Sequence, residues 1–335
     1  MFDEDIRKSS SNWITEKELT EFNIKIIFQD TQAFFGTADA ADLPVPENIS
    51  PIIWNHEKAP PGPIPKPIRH FFRYLEDAMV FPYHQSFVID FTMFLLGMLD
   101  YDDGRRVLHT WKDMPFFMPD GMVDVKACAT VIEQHDVRLN QYILLVKEDN
   151  YSGGGIDCEP RLIAEAIGAF YQNNKIRTPY GKSPLESQTF PAITMVGTAA
   201  RFYKITITRE LADAVEIGLP VENETIVHRF MPPVPNRFTY NARGMVPLEN
   251  RRLLLKCFEA FKQFMLSGVV AILGDGALTT LHRVEHASTH LDHVQWRHTL
   301  REVRTRFAFP WLKNTTSVPI FPLQLDALTS ELCVG

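Results

Sequence analysis

The chain has 335 residues, is 45% hydrophobic and carries a formal net charge of −7. This suits one large α/β domain or two smaller ones, and the acidic balance argues against a constitutive, salt-driven polyanion binder while leaving room for a local basic groove. Cys128, Cys158, Cys257 and Cys333 stand at no paired spacing, which speaks against a disulfide framework or a zinc ribbon and for a reducing compartment.

The start, Met1-Phe2-Asp3-Glu4-Asp5, is acidic and lacks an apolar signal region. The longest apolar stretch, Phe87 to Leu99, contains Asp90 and is too short to span a bilayer. The expectation is a soluble intracellular protein, cytoplasmic or nuclear, without membrane association. Asn23 to Phe28 is rich in β-branched and aromatic residues and predicts a strand. Leu43 to Pro67 is dense in proline. Short of backbone donors, it predicts an extended surface connector, or a ligand through which a proline-reading protein partner docks.

Two helices follow. Ile68 to Met79 places Phe71, Phe72, Leu75 and Met79 at helical spacing, and Ser86 to Leu99 does the same with Phe87, Phe91, Phe94, Leu95 and Met98. Asp100 to Gly104 is a turn, Arg105 to Trp111 a strand, and Met118-Pro119-Asp120-Gly121 a second turn. Val123 to Ile132 alternates polar and apolar residues and reads as one strand. A period of two would then put Asp124, Lys126, Cys128 and Thr130 on one face. Tyr142 to Val146 is apolar throughout, as in a central strand covered on both sides, and closes on Lys147-Glu148-Asp149-Asn150.

Gly153-Gly154-Gly155 lacks the Lys-Ser/Thr of a phosphate-cradling loop and reads as a flexible connection to a helix over Pro160 to Tyr171. Strands are expected at Ala192–Thr198, Phe202–Thr208 and Thr225–Phe230, with helices at Arg209–Ile217 and Leu248–Leu266. One mixed sheet with helices on both faces is the economical packing. His282, His286, His290 and His293 would share a helical face able to bind zinc or nickel, with a solvated C-terminal segment as the plainer reading. The expected organisation is an arm and connector over 1–67, an α/β core over 68–268 and a His-rich extension over 269–335.

The order helix, three strands, helix, strand, with an acid on the second strand and a Glu ending the third, resembles the restriction-endonuclease-like PD-(D/E)XK core. Several stretches are also similar to a family of uncharacterised basidiomycete fungal proteins with that core: Gly104 to Thr110, Val123 to Ala127, Leu144 to Asp149, Leu162 to Ile167, Ile193 to Thr198 and Cys257 to Lys262. The likeness runs from about residue 20 to 268 and omits the His-rich tail.

The resemblance implies an α/β fold and a Mg²⁺-dependent phosphodiester chemistry. In active nucleases of this type the strand acid and the Glu hold Mg²⁺. The ion acidifies a bound water and stabilises charge on the phosphate, helped by a Lys two residues after the Glu. This chain departs twice, with Cys128 where the relatives carry Asp and Asn150 where they carry that Lys. Cys128 is a poor ligand for a hard ion, and Asn150 has no charge. The implied protein is a degenerate nuclease-like binding or regulatory module, with nucleic acid as a partner. The alternative is a weak Mg²⁺-dependent endonuclease using Glu148, Asp124 and Lys126, with Asp90 as a further metal acid. A protein-interaction domain using the proline-rich arms is the third reading. Arg161 and Tyr171, on the helix bordering the pocket in these nucleases, are the candidate phosphate contacts. For each residue a plainer role stays open: Glu148 and Asp149 as strand-end caps, Lys126 in a surface ion pair, Cys128 as a small core residue, Arg161 and Tyr171 as helix surface.

Overall fold

The computed structural model describes residues 8–9, 16–82, 84–136, 139–149 and 158–265. In chain order these form β1 (Lys8–Ser9), α1 (Glu16–Glu21), β2 (Ile24–Phe28), α2 (Thr31–Phe35), α3 (Pro51–Asn55), α4 (Lys66–Val80) and α5 (Gln85–Met98). Five strands follow: β3 (Arg106–Asp113), β4 (Phe116–Met118), β5 (Gly121–Asp124), β6 (Lys126–Asp136) and β7 (Leu139–Glu148). The rest is α6 (Cys158–Arg177), β8 (Ser187–Val196), β9 (Ala199–Thr208), α7 (Arg209–Ile217), β10 (Thr225–Phe230), α8 (Tyr240–Arg243) and α9 (Leu248–Phe261).

Seven strands make one mixed sheet in the order β2-β10-β9-β8-β7-β6-β3. β7 and β8 run parallel, so the crossover through α6 returns the chain to the same edge, and the carboxyl ends of both strands emerge together. Their neighbours β6 and β9 are antiparallel to them. Side-chain alternation splits the sheet between two cores. Val146, Ile193 and Phe202 join Phe71, Phe91, Leu95 and Phe258 under α4, α5 and α9. Leu145, Ala192 and Tyr203 join Leu162, Ile167 and Leu211 under α6 and α7. The protein is thus α/β, with a central mixed sheet flanked by helices on both faces. α6 lies close because its sheet-facing residues are small: a Cβ on Gly168 would stand 2.4 Å from the Met114 carbonyl oxygen. No helix among the described residues is long and apolar enough to cross a membrane.

Two expectations need correction. Val123 to Ile132 is two strands in two sheets, broken at Val125, whose carbonyl accepts the Met114 N–H at 2.8 Å. β5 pairs with β4 and β1, whereas β6 belongs to the main sheet. The alternation hides the break because Val123, Val125 and Ala127 all bury in the same core beneath α6. Asp124 therefore does not share a strand face with Cys128. Leu43 to Pro67 is not a surface connector throughout. Ser50 Oγ caps α3 by accepting the Ile52 N–H, Pro51 takes a first-turn position that needs no donor, and Leu43, Ile49 and Ile53 are buried. Residues before 68 also supply β2, paired along β10. The His-rich segment, Asn150 and Gly153 to Gly155 lie outside the described residues.

Candidate functional site

β7 ends at the edge where the two parallel strands open, the place in open α/β sheets where ligands are commonly received. Leu144, Val146 and Glu148 alternate with Leu145, Lys147 and Asp149, so the last turn of the pleat sends acidic groups to both faces. Glu148 is only 4% exposed, and neither carboxyl oxygen has a hydrogen-bond partner among the described residues. Burial raises its pKa to about 7, against the pull of Lys147 and with a further push from Asp149. A buried carboxylate left without donors is costly, and such a group at a strand end is what a ligand or ion would satisfy.

The face beneath α6 carries a layer of paired charges. Lys147 Nζ donates to Glu165 Oε1 at 2.7 Å, with Glu165 almost fully buried on α6. Burial pushes the Glu165 pKa up to about 7 despite the ammonium. Burial would lower the pKa of Lys147, but the Glu165 carboxylate outweighs it and holds it up. Arg201 Nη1 donates to Asp149 Oδ2 at 3.2 Å, and its Nη2 reaches Asn241 Oδ1 at 3.4 Å. Glu159, at the start of α6, accepts from Tyr203 OH at 2.8 Å and from Arg229 Nη1 at 2.9 Å. Cys128 is fully buried on β6. Its sulfur accepts from Gln85 Nε2 at 3.1 Å and from the Glu148 backbone N–H. Burial raises the thiol pKa, so it stands as a neutral thiol and not as a nucleophile.

The sequence-predicted site residues do not converge. Cys128 on β6 meets Glu148 of β7 through the Glu148 backbone N–H. Lys126 Nζ pairs instead with Asp113 Oδ1 at 3.0 Å, both side chains exposed. Asp124 ends β5 in the smaller sheet. Asp90 is exposed on α5, off the stripe of Val88, Ile89, Thr92, Leu95 and Leu96 that faces inward. Arg161 is half-buried on α6, close enough to Glu165 and Lys147 to act on both electrostatically. Tyr171 packs edge-on against Phe117 of β4, ring centroids 6.0 Å apart.

Sequence reasoning missed Glu165, Glu159, Arg201, Tyr203 and Arg229. Glu165 left one usable signal: it is the only charge in the run Leu162 to Ala169, so a helix buried by that run must bury a carboxylate. The others sit in strands and a helix start whose partners lie far along the chain, and no local pattern announces them.

Among the described residues no group of three or more His, Cys, Asp or Glu side chains is arranged to hold a metal ion. Among the described residues the Glu148 carboxylate has no hydrogen-bond donor, and the neutral Cys128 thiol is a poor ligand for a hard ion such as Mg²⁺. The sequence matches no protein-family model and no curated protein.

Proposed function

We propose that the chain is a PD-(D/E)XK nuclease-like protein of the basidiomycete family it resembles, with a degenerate metal site, acting as a nucleic-acid binding or regulatory module. With the small-sheet strands β4 and β5 set aside as an insertion, the order α5, β3, β6, β7, α6, β8, with β7 and β8 parallel, supports the comparison. One observation carries it: Glu148 is buried at the end of the third strand of that series with no partner for its carboxyl oxygens among the described residues, and the second strand brings a neutral buried thiol, Cys128, to its backbone. In active enzymes of this class a Mg²⁺ ion supplies the activated water and charge neutralisation. Here Glu148 offers one anionic ligand, Lys147 is committed to Glu165, and Lys126 is committed to Asp113. Losing a metal carboxylate and the lysine together costs several powers of ten in rate, at roughly a hundredfold or more each.

The test is fluorescence anisotropy with labelled single- and double-stranded DNA and RNA, beside cleavage assays in Mg²⁺ and Mn²⁺. Expected are weak binding that falls with salt, no cleavage by the wild type, and metal-dependent cleavage in a Cys128→Asp/Asn150→Lys variant that Glu148→Ala abolishes. Wild-type cleavage lost in Glu148→Ala would instead establish the weak endonuclease. Absence of binding to every nucleic acid would remove the module reading. A protein-interaction role has one supporting observation of its own, since Pro61, Pro63 and Pro65 stand exposed ahead of α4. Its test is a pulldown with those prolines changed to alanine, because deletion of Leu43 to Pro67 would also remove buried core.

A further inference from the structure

A cleft of about 690 Å³ opens between α4 and the turn after α3. That lies within the ~300–1,000 Å³ typical of small-molecule sites. Its floor is apolar: Phe72, Leu75 and Met79 from α4, with Val246 opposite. Met79 is fixed from behind, its sulfur accepting from Thr198 Oγ1 at 3.0 Å. Arg69 and Arg73 project one helical turn apart on α4, and Lys58 joins them from the turn after α3. None of these three makes an ion pair or side-chain hydrogen bond among the described residues. His70 also lines the cleft, as do the carboxylates Glu57 and Glu76.

The wall is built on a buried cation. Arg251 is fully buried and donates to the backbone carbonyls of Ile53, Met245, Val246, His56 and Glu57. Its guanidinium lies over the rings of Phe71 and Phe72, 5.6 and 5.4 Å from their centroids. Among the described residues no carboxylate hydrogen-bonds it, so its charge is met by carbonyl dipoles and by the more distant Glu57. Among the described residues the cleft thus has a cation behind its floor and, on its rim, three cations without an ion pair against two carboxylates, in a protein of net charge −7.

We propose that this cleft binds an amphipathic organic anion, its apolar body along Phe72, Leu75 and Met79 and its carboxylate or phosphate at Arg69 and Arg73. The site does not depend on the nuclease reading. Isothermal titration of the full chain, below micelle-forming concentrations, would compare decanoate, decyl phosphate, inorganic phosphate and decyltrimethylammonium. Expected is binding of decanoate or decyl phosphate, with the stronger of the two naming the headgroup, and at least tenfold weaker binding of inorganic phosphate and of the cationic chain. Arg69→Gln/Arg73→Gln should weaken the anion at least tenfold, and Ala59→Trp should do so with the charges intact. Arg243→Gln should change nothing, with unaltered thermal melting as the check on folding. Equal binding of anionic and cationic chains, no binding at all, or indifference to both cleft variants would overturn the proposal. So would an oligonucleotide whose binding requires Arg69 and Arg73 while neither decyl anion binds.

Discussion

Arg251 and Glu148 are both buried charges, and the protein treats them in opposite ways. Around Arg251, α3, α4, α9 and the Gly244–Val246 turn bring five carbonyls and two aromatic faces to one guanidinium. Burial lowers its pKa to about 10, so it stays charged at every physiological pH. Glu148 has no donor at either oxygen among the described residues, and its pKa rises to about 7. A cation satisfied on every side is scaffold, since its hydrogen bonds are already made. An anion left unsatisfied at a strand end has bonding capacity still to use, and natural proteins keep such groups mainly where function requires them.

The scaffold half of this contrast predicts the largest effect. Arg251→Leu keeps apolar contact with Phe71 and Phe72 but strands the carbonyls the guanidinium satisfied. The expected loss is about 3–5 kcal/mol, the scale for breaking a buried charged network. A typical domain has only ~5–15 kcal/mol in total, so urea denaturation should show a much lower midpoint or an unfolded chain. A variant as stable as the wild type would mean those carbonyls find water, and the contrast with Glu148 would lose its first term.

Glu148 should respond with the opposite sign. Its folded pKa is raised above the unfolded value, so the native state holds more protons than the unfolded chain between about pH 4.5 and 7. Stability from this group therefore falls as pH rises through that window, and the full penalty applies above it. Glu148→Gln removes the penalty. The variant should match the wild type near pH 4.5 and exceed it by up to about 3 kcal/mol at pH 8, read from denaturant midpoints across pH. Equal stability at pH 8 would show that the carboxylate is satisfied after all, and the site would reduce to a strand cap.

How legible these two regions were differs for the same physical reason. The helices and strands around both were readable from local periodicity: α4, α5, α7, β7 and β10 fall where apolar spacing puts them. Glu148 was readable too, because an acid closing an all-apolar run is a local signal. Arg251 was not, since its acceptors on Ile53, His56 and Glu57 lie almost two hundred residues away and are backbone atoms without sequence signature. The placing of Asp124 and Lys126 failed at Val125, where the chain changes sheets while keeping its alternation. Periodicity reports which core a residue buries in, not which sheet it pairs in.

Lys126 gives the smallest effect and the finest discrimination. Its ammonium meets Asp113 at 3.0 Å with both side chains largely in water, where such a pair is worth about 0–1 kcal/mol and weakens with salt. Lys126→Ala should therefore cost less than about 0.5 kcal/mol. The more telling quantity is the pH dependence. A cation close to Glu148 would hold its carboxyl pKa down, and removing that cation would steepen the decline in stability between pH 4.5 and 7. With Lys126 turned to Asp113, the pH–stability curves of wild type and variant should run parallel through that window. Divergence there would return Lys126 to the Glu148 edge and revive the endonuclease arrangement that uses both.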